Sequence, residues 1–279
     1  MIKPLLQDGT FLTDVSRAKS NPNQLHLWWL GQSGYLIQWQ GRHLLIDPYL
    51  SDSLTKKYKG TNKPHVRMTE RVIGPERLDF VDVVTSSHNH TDHLDRETLL
   101  PLLKANPNLK VLVSRANLDF AAERLQVTSE RLTSIRVDVD PSVVGPFSFQ
   151  AIPSAHETLE QDENGDHRFI GLIIQVGKWT IYHSGDCIPY KGLVERLKNW
   201  KIDHALLPIN GRDPARGVAG NFTAEEAAQL GKEIEAGIVI PCHYEMFKFN
   251  TVSPQEFVNA AENIGQKYFL LKCGERLDF

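Results

Sequence analysis

The sequence predicts an α/β fold built from two related halves, and three observations predict it. Short apolar runs with strand character alternate with amphipathic helical stretches from residue 81 onward. The stretch "GYLIQWQGRHLLID" (34–47) is echoed by "GLIIQVGKWTIYHSGD" (171–186). Each reads as glycine, apolar strand, glycine turn, second strand and terminal aspartate. The next strands also echo each other, "VDVVTSSHNH" from Val81 and "IDHALLPING" from Ile202, so a β-hairpin followed by β-α units occurs twice.

The elements follow in order. Residues 1–24 are polar and irregular with one short amphipathic stretch, and read as an arm lying over the domain. Residues 26–50 read as short strands broken by glycines, with a turn at Gln40-Gly41. Residues 51–78 form a charged loop with Lys56, Lys57, Tyr58, Lys63 and Arg67, and a loop of that length in a compact domain is often functional. Val81–Thr85 is a buried strand, Asp95 caps a helix to Lys104, Lys110–Val113 is a strand and Arg115–Leu125 a helix. Ser134–Val139 and Phe147–Ile152 read as strands, and 154–167 as a polar loop. Thr223 and Glu226 make a capping box, Gly237–Ile240 a strand, and Ser253-Pro254-Gln255-Glu256 a second boxed helix start. Tyr268–Leu271 is expected to be the last strand. No linker rich in Gly, Pro or Ser divides the chain, so residues 1–279 are expected to form one domain.

Composition excludes several functions. A formal net charge of -3 offers no basic field for a nucleic-acid backbone, though a local basic pocket stays open. The start lacks a signal-peptide core, and apolar runs such as Val81–Val84 and Ala205–Ile209 are far short of a membrane span. Cys187, Cys242 and Cys273 are odd in number and widely spaced, so no disulfide framework is expected and a reduced cytoplasm is the simplest home.

The chemistry concentrates in "SSHNHTDHLD", residues 86–95, directly after a buried strand. His88 and His90, two apart in an extended loop, can turn toward one ion, while Asp92 and His93 can face a second beside it. The plainer alternative is a polar loop whose histidines cap the next helix. Further donors stand where strands end: His156, Asp186 in "YHSGD", and His243 in "GIVIPCH". A lone histidine is usually a satisfied residue and an aspartate after glycine usually a turn, but their recurrence at strand ends is what a multi-ligand site requires. His26 and His43 lie inside strands, His65 in the basic loop, His167 in the polar loop, and His204 begins a strand. His183 is ambiguous between support and filler.

These residues resemble the five motifs of the metallo-β-lactamase superfamily across nearly the whole chain: Asp47, then His88-x-His90-x-Asp92-His93, His156, Asp186 and His243. The resemblance implies an αββα four-layer sandwich, two mixed β-sheets flanked by helices. It implies two divalent metal ions, zinc or manganese. His88, His90 and His156 would hold one, Asp92, His93 and His243 the other, and Asp186 would bridge them, with Asp47 bracing the histidine loop. "GQSG", "IDPY", "YHSGD", "PING" and "IPCHYEMFKFN" look most like the ascorbate-6-phosphate lactonase-like group. His156 departs from that group's expected pattern.

The implied activity is hydrolysis by a hydroxide shared between two metals, with Asp92 orienting it and Asp47 and His183 in supporting roles. A lactone of a sugar or phosphorylated sugar is the first substrate class, and a phosphodiester of the phospholipase D-like or nuclease branch the alternative. A diiron oxidoreductase on the same fold usually replaces the second histidine by glutamate, where this chain has His90. Asn210, Arg212, Lys57 and Tyr58 are candidate contacts for a small, anionic substrate. No nucleic acid or membrane partner is expected, and a homo-oligomer is possible.

Overall fold

Consecutive Val, Ile, Leu, Trp and Tyr residues bury both faces of a strand only inside a covered sheet, and this chain builds two such sheets. The computed structural model describes residues 1–217 and 220–279. In the first half, β1 (His26–Gly31), β2 (Gly34–Trp39) and β3 (Arg42–Ile46) form an antiparallel meander. Its second turn is Gln40-Gly41, both left-handed with φ of 49° and 75°, the conformation a tight hairpin turn demands. β3 then pairs in parallel with β4 (Val83–Ser86), β4 with β5 (Lys110–Ser114), and β5 with β6 (Leu132–Ile135). A last strand, β13 (Arg276–Asp278), closes the other edge against β1.

The second sheet has the order β12-β11-β10-β9-β8-β7. Its strands are β7 (Ser142–Val144), β8 (Phe147–Pro153), β9 (Ile170–Val176), β10 (Trp179–His183), β11 (His204–Pro208) and β12 (Ile238–Cys242). Strands β1 to β5 and β8 to β12 share one pairing pattern: antiparallel, antiparallel, parallel, parallel. The sequence echo is therefore a repeat of topology.

Helices α3 (Arg96–Ala105) and α4 (Leu118–Leu125) flank the first sheet, and α6 (Ala224–Glu233) and α7 (Pro254–Ile264) the second, giving the αββα arrangement. Two short helices, α2 (Ser53–Lys57) and α5 (Leu193–Leu197), complete the described set together with α1 (Asp8–Ala18). One continuous apolar core runs from Phe11 to Cys273. The Asp95 carboxylate accepts from the Glu97 N–H at the start of α3, and Thr223 with Glu226 forms the reciprocal box at α6. Among the described residues, no helix is long and apolar enough to cross a membrane.

Four expectations change. The N-terminal arm is largely helix α1, which buries Phe11, Val15 and Ala18. The strand expected at 134–139 forms at 132–135, because Asp138 is left-handed (φ 58°) and only Val137 bridges onward, to Ala151. Residues 268–271 form no full strand. Tyr268 makes an isolated bridge to Val239, and the chain then turns at Gly274 (φ 80°) to supply β13. At α7 the Ser253 hydroxyl accepts from the Gln255 N–H, with no return bond from Glu256.

Two buried histidines carry a stability consequence. His43 packs on Phe80 with ring centroids 4.7 Å apart, and His204 on Phe279 at 3.8 Å. Burial lowers each pKa from the ordinary 6.5 to about 4. Between those values the unfolded chain takes a proton that the folded chain refuses, so stability falls as pH drops from about 6.5 toward about 4. Each residue costs up to ~1.4 kcal/mol per pH unit in that window. The slope of Tm against pH should flatten in a His43→Leu/His204→Leu double variant, and an unchanged slope would contradict the assignment.

Candidate metal centre

All strands that feed the site end at the same side of their sheets. β1, β3 and β4 run parallel to one another, as do β8, β10, β11 and β12. The loops following these C-terminal ends carry Gln32, Asp47, His88 to His93, His156, Asp186 and His243. The two halves are joined at this edge. The Ile170 N–H donates to the Ser87 carbonyl (3.1 Å) and the His243 N–H to the Gln32 carbonyl (2.9 Å).

Local backbone conformations make this meeting possible. Gln32, Asp47 and His243 all have positive φ (51°, 39° and 63°), a strained conformation that persists where the surroundings over-determine it. Gly185 has φ of +59°, and a Cβ there would meet the Ile170 carbonyl oxygen and Ser87 Cβ at 2.9 Å. Asp186 reaches the histidine turn because its neighbour has no side chain.

Seven donors then converge. The ligating atoms of His88, His90, His156 and Asp186 lie within 4.8 Å of one another, as do those of Asp92, His93 and His243. Asp186 joins the groups: Oδ1 is 3.2 Å from His93 Nε2, and Oδ2 is 3.7 Å from His243 Nε2 and 3.8 Å from His156 Nε2. Asp92 Oδ2 is 3.7 Å from both His93 Nε2 and His243 Nε2. Two ligands of one tetrahedral zinc stand roughly 3.3 Å apart, so these spacings suit a shared cation.

The electrostatics also call for cations. Among the described residues, Asp47, Asp92 and Asp186 have only histidines as ion-pair partners. His88 Nε2, His93 Nε2 and Asp186 Oδ1 are buried without hydrogen-bond partners, a costly state for polar atoms that a metal would relieve. Burial and the adjacent imidazoles push the His88 pKa well below its ordinary value, so it presents a neutral lone pair. Burial opposes charge on His93 as well, but Asp186 and Asp92 overcome it and raise that pKa well above ordinary. Burial would raise Asp186, yet His93 and His243 hold it well below the usual carboxylate range. The residues present therefore fit divalent metals.

Supporting contacts aim the ligands. Asp47 is fully buried and its Oδ2 lies 2.7 Å from His93 Nδ1, while its carboxylate accepts from the Ser87 N–H (3.1 Å), the Ser87 hydroxyl and the Thr85 hydroxyl (3.1 Å). Asp47, His88 and His93 form a third close group, but Asp47's oxygens are consumed here, so it orients a ligand. The His156 Nδ1–H donates to the Gly220 carbonyl at 2.7 Å, which leaves Nε2 for the centre. The Gln32 amide donates to Asp92 Oδ2 at 2.8 Å and stands 2.9 Å from His243 Nε2. Phe169 packs on the rings of His88, His90 and His156.

Five of these donors, His90, Asp92, His156, Asp186 and His243, line a cavity of about 520 Å³, and His88 and His93 are buried outside its lining. A second cavity of equal volume, between Tyr190 and α6–α7, holds none of the ligand groups, so donor chemistry singles out the first. Lys57 and Tyr58 line the metal-side cavity, as the sequence leads one to expect. Asn210 does not. It is buried one layer behind, bonded to Asn250 and Asn221, which do line it. Arg212 is also outside the lining, its guanidinium taken up by Glu226 at 2.6 Å and the Asn221 carbonyl at 3.2 Å. His183 is buried and held by the Ser33 carbonyl (3.1 Å) and the Gly185 N–H (3.2 Å), outside the cavity lining, so it supports backbone. Cys187 is buried with its pKa pushed up to about 12 by burial, and Cys242 is pushed up likewise, so neither offers a thiolate. Gln32, Lys63, His65, Arg124 and Phe169 are the contributors sequence reasoning missed. "GQSG" carried a signal for Gln32, and the charged loop 51–78 carried one for the segment that holds Lys63 and His65.

Asp47→Asn can no longer accept from both His93 and the Ser87 groups. It should bind metal about 10–100-fold more weakly, measured by chelator competition with the fold monitored by circular dichroism. Unaltered affinity would show that Asp47 is not the brace.

A family profile described as a beta-lactamase superfamily domain matches residues 42–244. The chain is 28% identical over 261 residues to a "UPF0173 metal-dependent hydrolase" of Metallosphaera sedula, covering 90% of this chain and 97% of that one. It is 22% identical over 276 residues to the probable L-ascorbate-6-phosphate lactonase UlaG of Escherichia coli, covering 89% and 77%. Among solved structures, the isothiocyanate hydrolase from Delia radicum gut bacteria shares the fold with a TM-score of 0.69 at 22% identity, covering 91% and 98%. The profile spans most of the chain and takes in every metal-ligand loop, from before Asp47 to just beyond His243, so the chain belongs to the beta-lactamase superfamily.

Proposed function

We propose that this chain is a metal-dependent hydrolase that cleaves a lactone in a small anionic molecule. The observation that carries this is the convergence of seven donors, of which His90, Asp92, His156, Asp186 and His243 line one cavity while His88 and His93 are buried beside them, with His88 Nε2, His93 Nε2 and Asp186 Oδ1 lacking hydrogen-bond partners. Zinc or manganese ions held there by these residues would supply Lewis acidity and a water acidic near neutral pH. The name carried by the Metallosphaera relative supports hydrolysis, and the lactonase relative supports the lactone.

The chain's own residues divide the remaining work. Gln32 fixes the Asp92 carboxylate, so Asp92 can orient a water at the floor. Lys57, Lys63 and Arg124 stand around the cavity, and none is in an ion pair among the described residues. Arg124 is held by the carbonyls of Asn89 (2.6 Å) and Leu94 (3.3 Å) and lies over the Phe120 ring at 4.4 Å, which presents its charge in a fixed place. A carboxylate or phosphate on the substrate would meet that rim. Leu54, Phe120 and Phe247 supply apolar wall. The same cations favour a phosphodiester as the second reading.

Metal analysis of gently purified protein should find two ions per chain. Turnover of a lactone panel should depend on restored metal and vanish in His88→Ala and Asp186→Ala. Protein without bound metal and without metal-dependent turnover would overturn the proposal, and preference for diesters would select the second reading. Arg124→Ala should raise KM about tenfold or more for an anionic lactone with kcat nearly kept, and leave a neutral lactone unaffected. Equal effects on both would remove Arg124 from substrate binding.

A further inference from the structure

Hydrolysis at this centre needs a proton for the departing oxygen, and a titratable group outside the seven ligands stands in the same cavity. We propose that His65 is that donor, which rests on the hydrolytic reading above. His65 lines the same cavity as His90, Asp92, Asp186 and His243, but belongs to neither ligand group. Its Nδ1 lies 2.9 Å from the Lys63 carbonyl oxygen. A carbonyl only accepts, so Nδ1 carries hydrogen, and Nε2 is the ring nitrogen left for the cavity.

The ring is held in place. It stacks on Tyr58 (centroids 4.3 Å apart, planes at 23°) and meets the edges of Phe247 and Phe249 at 5.0 and 4.5 Å. The Thr55 hydroxyl donates to the His65 carbonyl at 2.7 Å. Just beyond, the chain forms a short ribbon with the loop that follows His243. Arg67 bridges Phe247, the Lys248 N–H donates to the Val66 carbonyl at 3.1 Å, and the Met68 N–H to the Met246 carbonyl at 2.8 Å. The loop 51–78 and the loop after His243 are thus tied, and the imidazole keeps its position relative to the floor.

The surroundings lower the His65 pKa below its ordinary value. Burial lowers the His65 pKa, the Lys63 carbonyl and Asp92 act against that, and Lys57 and Lys63 lower it further. Tyr58 is the other titratable group packed on the ring.

The step balances as follows. Water's oxygen adds to the acyl carbon while its proton is released. The bond from that carbon to the leaving oxygen breaks. In the imidazolium form both ring nitrogens carry hydrogen; the Nε2–H proton passes to the leaving oxygen, leaving the neutral Nδ1–H ring, which recovers on Nε2 the proton released by the water, directly or through solvent. Nothing is oxidised or reduced, and the sum is addition of one water.

The test compares an alkyl ester with the p-nitrophenyl ester of the same acid on metal-loaded protein. An alkoxide leaves poorly without a proton, whereas p-nitrophenolate leaves without one. His65→Gln should lower kcat on the alkyl ester about 10²–10⁴-fold, spare the aryl ester, and abolish the alkaline limb of the pH–rate profile. Metal content should be unchanged, and added imidazole should restore part of the alkyl-ester rate in His65→Ala. Nitrogen-15 spectra of labelled histidine should show His65 as the Nδ1–H tautomer in wild-type protein. Equal loss on both esters, loss of metal, or an Nε2–H tautomer would overturn the donor role. Wild-type protein that cleaves neither ester, and no member of the lactone and diester panels, would sink the hydrolytic reading itself, and the donor role with it.

Discussion

Three carboxylates, Asp47, Asp92 and Asp186, crowd one edge of the fold, and among the described residues their only ion-pair partners are imidazoles. Uncompensated charge in that setting is expensive, so the rest of the centre is arranged around relieving it. Asp47 is relieved internally, by the Ser87 amide and hydroxyl, the Thr85 hydroxyl and His93 Nδ1. Asp186 is left with an unpaired buried oxygen beside unpaired imidazole nitrogens. The difference between a carboxylate that accepts four contacts from its own chain and one that faces only imidazoles is the difference between a brace and a ligand.

That contrast also follows the two-fold repeat. Asp47 follows β3 and Asp186 follows β10, the equivalent strands of the two halves. His88 stands two residues after β4, and Asn210 two residues after β11. In the first half the loop is a ligand turn. In the second it is a buried amide network: Asn210 bonds Asn250 and Asn221, and Asn221 accepts from the Cys187 N–H beside Asp186. One half supplies most donors, and the other half holds the bridge steady.

Much of this was legible because it is local. The strand periods, the caps at Asp95 and Thr223, and the "HNHTDH" turn depend on neighbours a few residues away. The donors at 156, 186 and 243 were legible at strand ends, since α/β folds place loops there. Other features were not local. Arg212 and Arg124 look alike as isolated basic residues. Glu226 occupies Arg212, and the Asn89 and Leu94 carbonyls turn Arg124 to the cavity. His65 was passed over as part of a basic loop because its aromatic neighbours Phe247 and Phe249 lie far along the chain, beyond β12. The strand at 276–278 was missed because its partner, β1, opens the first sheet at the other end of the sequence.

The sequence by itself determined the elements, their two-fold recurrence, and which side chains have the donor atoms for a metal pair. Those properties follow from backbone propensity and side-chain chemistry, which travel with each residue. Only the tertiary structure decided which carboxylate is neutralised and which stays open, which cations reach the cavity, and which histidine faces it without being a ligand. Those outcomes depend on what is packed against each group once the two sheets meet, and no residue carries that information alone.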